Sequence, residues 1–238
     1  HFGHNSNVAW CITHGMADDT DVFIESDDLN TIEWSPEILK IRDSESVEVW
    51  CGSTERGPIV FGSPSDGIAL GLMWTGISNV DTTFESLAPM LRAKSCDELE
   101  STMKSWVIPV NNLLSADTEG NISFKIRGRV VERSVANRWT PVAGTSDASW
   151  SQSNEVAFEE LQSWRNPARG FLVTANNRIS DQGPYISLDF AGPSRHDRIA
   201  QLLSELFDAT ADDMTKIHKD VKSLVAPALI KIFVESAG

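Results

Sequence analysis

Two carboxamides and a guanidinium, Asn176, Asn177 and Arg178, close an apolar run from Phe171 to Ala175. Such groups hydrogen-bond well but are poor nucleophiles. Their chemistry would be to hold a substrate or to stabilise a developing oxyanion. Aromatic and β-branched residues behind Pro167 and Gly170 give the run strand character. An Asx turn that closes the strand is the simpler reading of the two amides, and residue types alone leave both open.

A second group is acidic. Asp18, Asp19 and Asp21 crowd three carboxylates into four residues, with Thr20 among them. They repel one another unless something neutralises them. A hard cation with oxygen ligands, such as Ca²⁺, would do so. The spacing is not that of an EF-hand loop, and a solvated acidic turn is the simpler alternative. A third group is Arg195, in the first turn of a helix that begins behind Pro193. A cation there opposes the helix dipole by roughly 0.3–1 kcal/mol, so either Arg195 points into water or it serves elsewhere.

The elements that must position these groups change character along the chain. Short β-branched or aromatic stretches at Val8–Thr13, Val22–Glu25, Thr31–Trp34, Val47–Cys51, Pro58–Phe61 and Ile68–Trp74 predict strands. Cys96–Trp106 predicts a helix with Ser95 and Glu98 at capping-box spacing. Leu113–Ala116 and Asn121–Ile126 predict a hairpin around Asp117–Gly120. Beyond Pro193, Ile199, Leu202, Leu203 and Leu206 have helical spacing behind a Ser194 cap. A second helix begins near Thr210, and Pro227 should kink or end it. Residues 1–190 read mainly as strand and 194–235 mainly as helix, which implies an α+β fold.

Bulk properties narrow the function. A formal net charge of −14 argues against nucleic-acid binding, which needs Lys and Arg against phosphates. No apolar run reaches the roughly 20 residues of a membrane span, and no signal-peptide pattern is present. Cys11, Cys51 and Cys96 form no C-x-x-C and read as small buried hydrophobes. The five His show no H-x-x-x-H, and there is no phosphate-binding glycine motif.

Taken in order, several segments resemble the penicillin acylase family of N-terminal-nucleophile hydrolases. They are Phe2–Asn5 with Val8–Glu25, Arg56–Ile59, Ala116–Ile122, Asn166–Gly170 with Ala175–Asn177, and Arg195–Ile199. The resemblance spans roughly residues 1–207 and matches the internal part of that family's β chain. It implies an αββα layered fold, of which residues 1–238 would hold a part.

It also implies a mechanism. An N-terminal Ser attacks an amide carbonyl with its own α-amino group as base, and an acyl-enzyme forms and is hydrolysed. By resemblance, His14 gives a backbone N–H to the oxyanion, Asn176 gives its carboxamide, and Arg195 orients the nucleophile's surroundings. Phe2, Ile12 and Asn111 match positions lining the acyl pocket, although Asn111 replaces an aliphatic residue. Asp18, Thr20 and Asp21 match calcium ligands, with further ligands near Asn137, at a later Asp and on a separate α chain.

The implied partners are a small acyl-amide substrate of the β-lactam or acyl-homoserine lactone class, plus the α chain and the rest of the β chain from one precursor. The implied compartment is periplasmic or secreted. Residue 1 is His, so the nucleophile would lie upstream and this chain alone would be inactive. The competing expectation is a non-catalytic, penicillin-acylase-like module that binds a cation.

Overall fold

The computed structural model describes residues 2–25, 31–77 and 80–236. Two sheets and five α-helices make an α+β fold among these residues. The first sheet is antiparallel, in the order β1 (Gly3–His4), β2 (Val8–His14), β8 (Asn111–Asp117), β9 (Ile122–Arg127) and β11 (Ser163–Arg165). The second runs β10 (Val142–Ala143), β3 (Thr20–Glu25), β7 (Ala69–Trp74), β6 (Gly57–Phe61), β5 (Val47–Thr54) and β4 (Glu33–Leu39). There only the short β10 pairs in parallel.

Alternation along the strands decides what each face of the first sheet meets. On one face Val8, Trp10 and Leu113 pack on Met90, Leu99, Met103 and Trp106 from the helical segment α1 (Thr83–Met90) and α2 (Cys96–Thr102) with its following turn. On the other, Phe124 and Ile126 join Val110, Val130, Leu161 and Ile186 in a second core. A third core joins Phe23 and Met73 of the second sheet to Val131, Ala148 and Trp150.

The predicted strands are present, with Thr31–Trp34 shifted to β4. The predicted helix Cys96–Trp106 is shorter. Ser95 Oγ accepts from Glu98 N–H at 3.1 Å, α2 ends at Thr102, and a single 3₁₀ turn leads to an extended Trp106. The predicted strand Phe171–Ala175 is irregular backbone. Leu172, Val173 and Ala175 are buried or half-buried, so the apolar pattern is satisfied by packing, without a ladder partner.

α3 spans Ser194–Ser204, with Pro193 rather than Ser194 at the cap. α4 (Ala211–His218) carries a full Thr210–Asp213 capping box. Pro227 neither kinks nor ends that helix. It lies in the first turn of α5 (Ala226–Ser236), where its missing N–H needs no partner. Cys96 is buried, but Cys51 on β5 is exposed.

Candidate active site

β2 ends at His14, paired with Asn111 at the start of β8. Beyond it the chain turns: Gly15 N–H donates to the Val110 carbonyl at 2.9 Å, and Met16, at φ 57°, donates its N–H to His14 Nδ1 at 2.9 Å. The loop after Ala175 comes back to this strand end. Thr174 joins Thr13 by a hydroxyl contact of 2.9 Å, and Asn112 Nδ2 donates to Thr13 Oγ1 at 3.0 Å.

Asn176 sits at φ 63°, a left-handed conformation that Asn tolerates better than most residues. Its backbone carbonyl accepts from Ala191 N–H at 2.9 Å. The side chain is fixed at both ends. Arg195 Nη2 donates to Asn176 Oδ1 at 3.1 Å and to the Ala175 carbonyl at 2.7 Å. Asn176 Nδ2 donates to the His14 carbonyl at 3.0 Å. Because Arg195 claims the oxygen, the amide can face only one way. One of its two N–H groups reaches His14, which leaves the other without an acceptor among the described residues. Asn177 does different work: its Oδ1 accepts from Ala175 N–H at 3.0 Å and its Nδ2 donates to the Arg178 carbonyl. Both bonds are local, but the N–H that Asn177 accepts lies two residues back, whereas an Asx turn takes the one two residues on.

His14, Asn176 and Arg195, more than 160 residues apart at the extremes, thus meet in one hydrogen-bonded group. A cavity of about 610 Å³ borders His14 and is walled by Ala17, Asp18, Trp139 and Leu188.

The three expected acyl-pocket positions are less unified. Ile12 and Asn111 lie on adjacent strands, and Asn111 is 2% exposed. Phe2 precedes the edge strand β1 and is 75% exposed. Asn111 is not an unpaired amide: Arg127 Nη2 donates to its Oδ1 at 3.2 Å. Nothing in the sequence pointed to Arg127. It alternates with Phe124 and Ile126 on β9 and faces the helical side, stacked 3.6 Å from the Trp106 ring.

The acidic turn is occupied by a side chain. Arg133 pairs with Asp18 and, through Nη1 at 2.7 Å, with Asp21. The same Nη1 lies 3.3 Å from the Thr20 carbonyl. Trp150 Nε1 donates to Asp21 Oδ2 at 2.6 Å and the Tyr185 hydroxyl donates to Asp18 Oδ2 at 3.0 Å. Ca²⁺ takes six to eight oxygens. Here the three expected ones already face a guanidinium, and no cluster of three or more His, Cys, Asp or Glu side chains placed for a metal occurs among the described residues. Asn137, near the expected further ligands, instead donates to the Ala148 carbonyl. As placed, this donor set does not fit a divalent cation.

The architecture matches that of an N-terminal-nucleophile hydrolase. A thermostable penicillin G acylase from Alcaligenes faecalis superposes with a TM-score of 0.77 over 91% of this chain and 41% of that one, at 19% identity. The penicillin amidase family model matches residues 1–237. The penicillin acylase 2 proenzyme of Pseudomonas sp. (strain SE83) is 30% identical over 240 residues, covering 94% of this chain and 30% of that protein. An acyl-homoserine lactone acylase, QuiP, of Pseudomonas fluorescens (strain Pf0-1) is 23% identical over 220 residues, covering 84% of this chain and 26% of that protein. The chain belongs to the penicillin amidase family. It spans 30% and 26% of the length of these two curated relatives.

Proposed function

We propose that this chain supplies the oxyanion-stabilising side of a linear amide hydrolase, which releases an acyl group through an acyl-enzyme. One observation carries the reading: Asn176 is locked by Arg195 and by the His14 carbonyl, with one amide N–H left over. A preorganised donor needs no reorientation as charge develops on the substrate oxygen. Asn176 then stabilises the oxyanion together with the His14 backbone N–H, and Arg195 acts as a positioning residue that fixes the amide. Ile12, Asn111 and Phe2 form the acyl side.

The substrate is an acyl amide of the kind named for the relatives, a penicillin or an acyl-homoserine lactone. No residue of this chain takes the nucleophile's role on this reading, so these residues alone turn over no acyl amide. The α chain and the remaining β chain of one precursor complete the site, and the compartment is periplasmic or secreted. In the described residues no helix is long and apolar enough to cross a membrane.

The test is Asn176→Ala in the protein that carries the nucleophile, assayed on phenylacetyl and long-chain acyl amides. Loss of one oxyanion donor should cut kcat by about 10²–10³ with little change in KM. An unchanged kcat would remove Asn176 from this role.

A further inference from the structure

We propose that Arg133 is the built-in counter-cation of the Asp18–Asp21 turn, standing where a divalent cation would otherwise bind, so that the fold is indifferent to Ca²⁺. Three geometric observations carry this. First, one guanidinium reaches all three groups expected to ligate calcium: the Asp18 and Asp21 carboxylates and the Thr20 carbonyl. Second, the Arg133 and Asp21 side chains are 0% and 1% exposed, so the pair is a buried feature and no surface accident. Third, a second guanidinium stands close to the pair. The Arg138 guanidinium lies 3.8 Å from the centre of the Tyr185 ring, whose hydroxyl donates to Asp18. Arg133 and Arg138 thus stand near the Asp18 and Asp21 carboxylates, while the third carboxylate of the turn, Asp19, accepts from the Thr20 hydroxyl at 3.0 Å. A Ca²⁺ added here would have to share the Asp18 and Asp21 carboxylates with a buried guanidinium already paired to both.

The planar fork suits this role. Arginine presents five N–H donors in fixed directions and is less strongly hydrated than an ammonium. It can therefore satisfy several oxygens at once, as a metal does. Trp150 donates to the Asp21 oxygen that Arg133 leaves free, and Tyr185 donates to the same Asp18 oxygen that Arg133 pairs with. The turn ahead of β3 and the segment through Arg133 are thereby tied together by charge: the fold role of a structural ion, filled by a side chain.

The decisive measurement is the melting temperature of the wild-type protein in millimolar Ca²⁺ and in excess chelator. The two should agree within about 1 °C. A site filled at about a hundred times its dissociation constant would instead raise Tm by roughly 5–10 °C, and such a rise overturns the proposal. A second arm uses Arg133→Ala, which frees the donor set. Its Tm should fall by roughly 6 °C or more, and millimolar Ca²⁺ should restore part of the loss. A variant as stable as wild type would overturn the proposal, as would a folded variant that ignores Ca²⁺. If Arg133→Ala does not fold, the wild-type comparison still decides.

Discussion

Two buried arginines, six residues apart in sequence, are held in opposite ways. Arg133 faces two carboxylates in the loop beside the second sheet. Arg127, 1% exposed on β9, faces a sulfur, an amide oxygen and an indole ring: Met103 Sδ at 3.0 Å, Asn111 Oδ1 at 3.2 Å and Trp106. Desolvation penalises both charges. At Arg133 the Asp18 and Asp21 carboxylates outweigh it and hold the guanidinium above its ordinary pKa. At Arg127 nothing does, and burial pushes it down to about 10. Burial of a cation is therefore tolerated in two regimes: charge compensation at the acidic turn, and dipole and quadrupole compensation between Asn111, Met103 and Trp106. Only the first should be essential to folding.

The largest effect should follow from breaking the first regime. Arg133→Met leaves Asp18 and Asp21 without their cation, the latter fully buried, and should cost about 3–5 kcal/mol. For a chain of this size that is a Tm drop of roughly 6–20 °C, measurable by calorimetry. Chemical denaturation should give the same ranking. A loss below about 1 kcal/mol would mean that Trp150 and Tyr185 suffice to hold the two carboxylates, and the contrast with Arg127 would collapse.

A carboxylate in the β8–β9 hairpin sharpens the comparison from the other side. Among the described residues Asp117 has no salt-bridge partner. It accepts from Cys96 N–H at 3.1 Å, Glu119 N–H at 3.1 Å and Asn121 N–H at 2.9 Å. Desolvation acts to raise its pKa, but these donors bring it down to about 2. Neutral dipoles thus hold an anion at a half-buried turn better than neutral groups hold the cation at Arg127. The sign follows from linkage. A depressed carboxyl pKa stabilises the fold above the unfolded value near 4, and that contribution fades as pH falls through about 2. Asp117→Asn should therefore lose about 1 kcal/mol at pH 6, and its gap to wild type should close between pH 4 and pH 2 in urea unfolding. A gap that stays constant over that range would show that the carboxylate's charge is not what the turn uses.

Local chemistry was legible in the sequence, and long-range partnership was not. The strand runs, the Ser95 cap, the hairpin and the helices after Pro193 follow from periodicity and turn residues, which act over a few positions. The grouping of His14, Asn176 and Arg195 came only through ordered resemblance, because no spacing rule links residues that far apart. The strand expected at Phe171–Ala175 failed because burial, not ladder pairing, accounts for its apolar residues. Arg133 could not be found at all. Its neighbours Glu132 and Ser134 give no sign that it reaches back more than 110 residues to the acidic turn, and three crowded carboxylates look the same in sequence whether a metal or a side chain neutralises them.

The smallest expected effect is at Arg127, and it is the most discriminating. Arg127→Met removes a desolvated charge and places a thioether among Met103 and Trp106, a change that buried ion sites often accept with no loss. It also leaves Asn111 Oδ1 buried without its donor, which costs about 1–3 kcal/mol. The two terms oppose, so the single variant should lie within about 1 kcal/mol of wild type. Asn111→Leu added to it removes the orphaned amide as well, and replacing both partners by apolar groups is close to neutral. The double variant should therefore be at least as stable as Arg127→Met alone, whereas Asn111→Leu alone should be the least stable of the three, since it strips Arg127 of its only oxygen acceptor among the described side chains. Denaturant melts of the four proteins complete a double-mutant cycle. If Arg127→Met instead costs as much as Arg133→Met, then indole, sulfur and amide together hold a buried guanidinium as firmly as two carboxylates do, and the division between the two regimes is wrong.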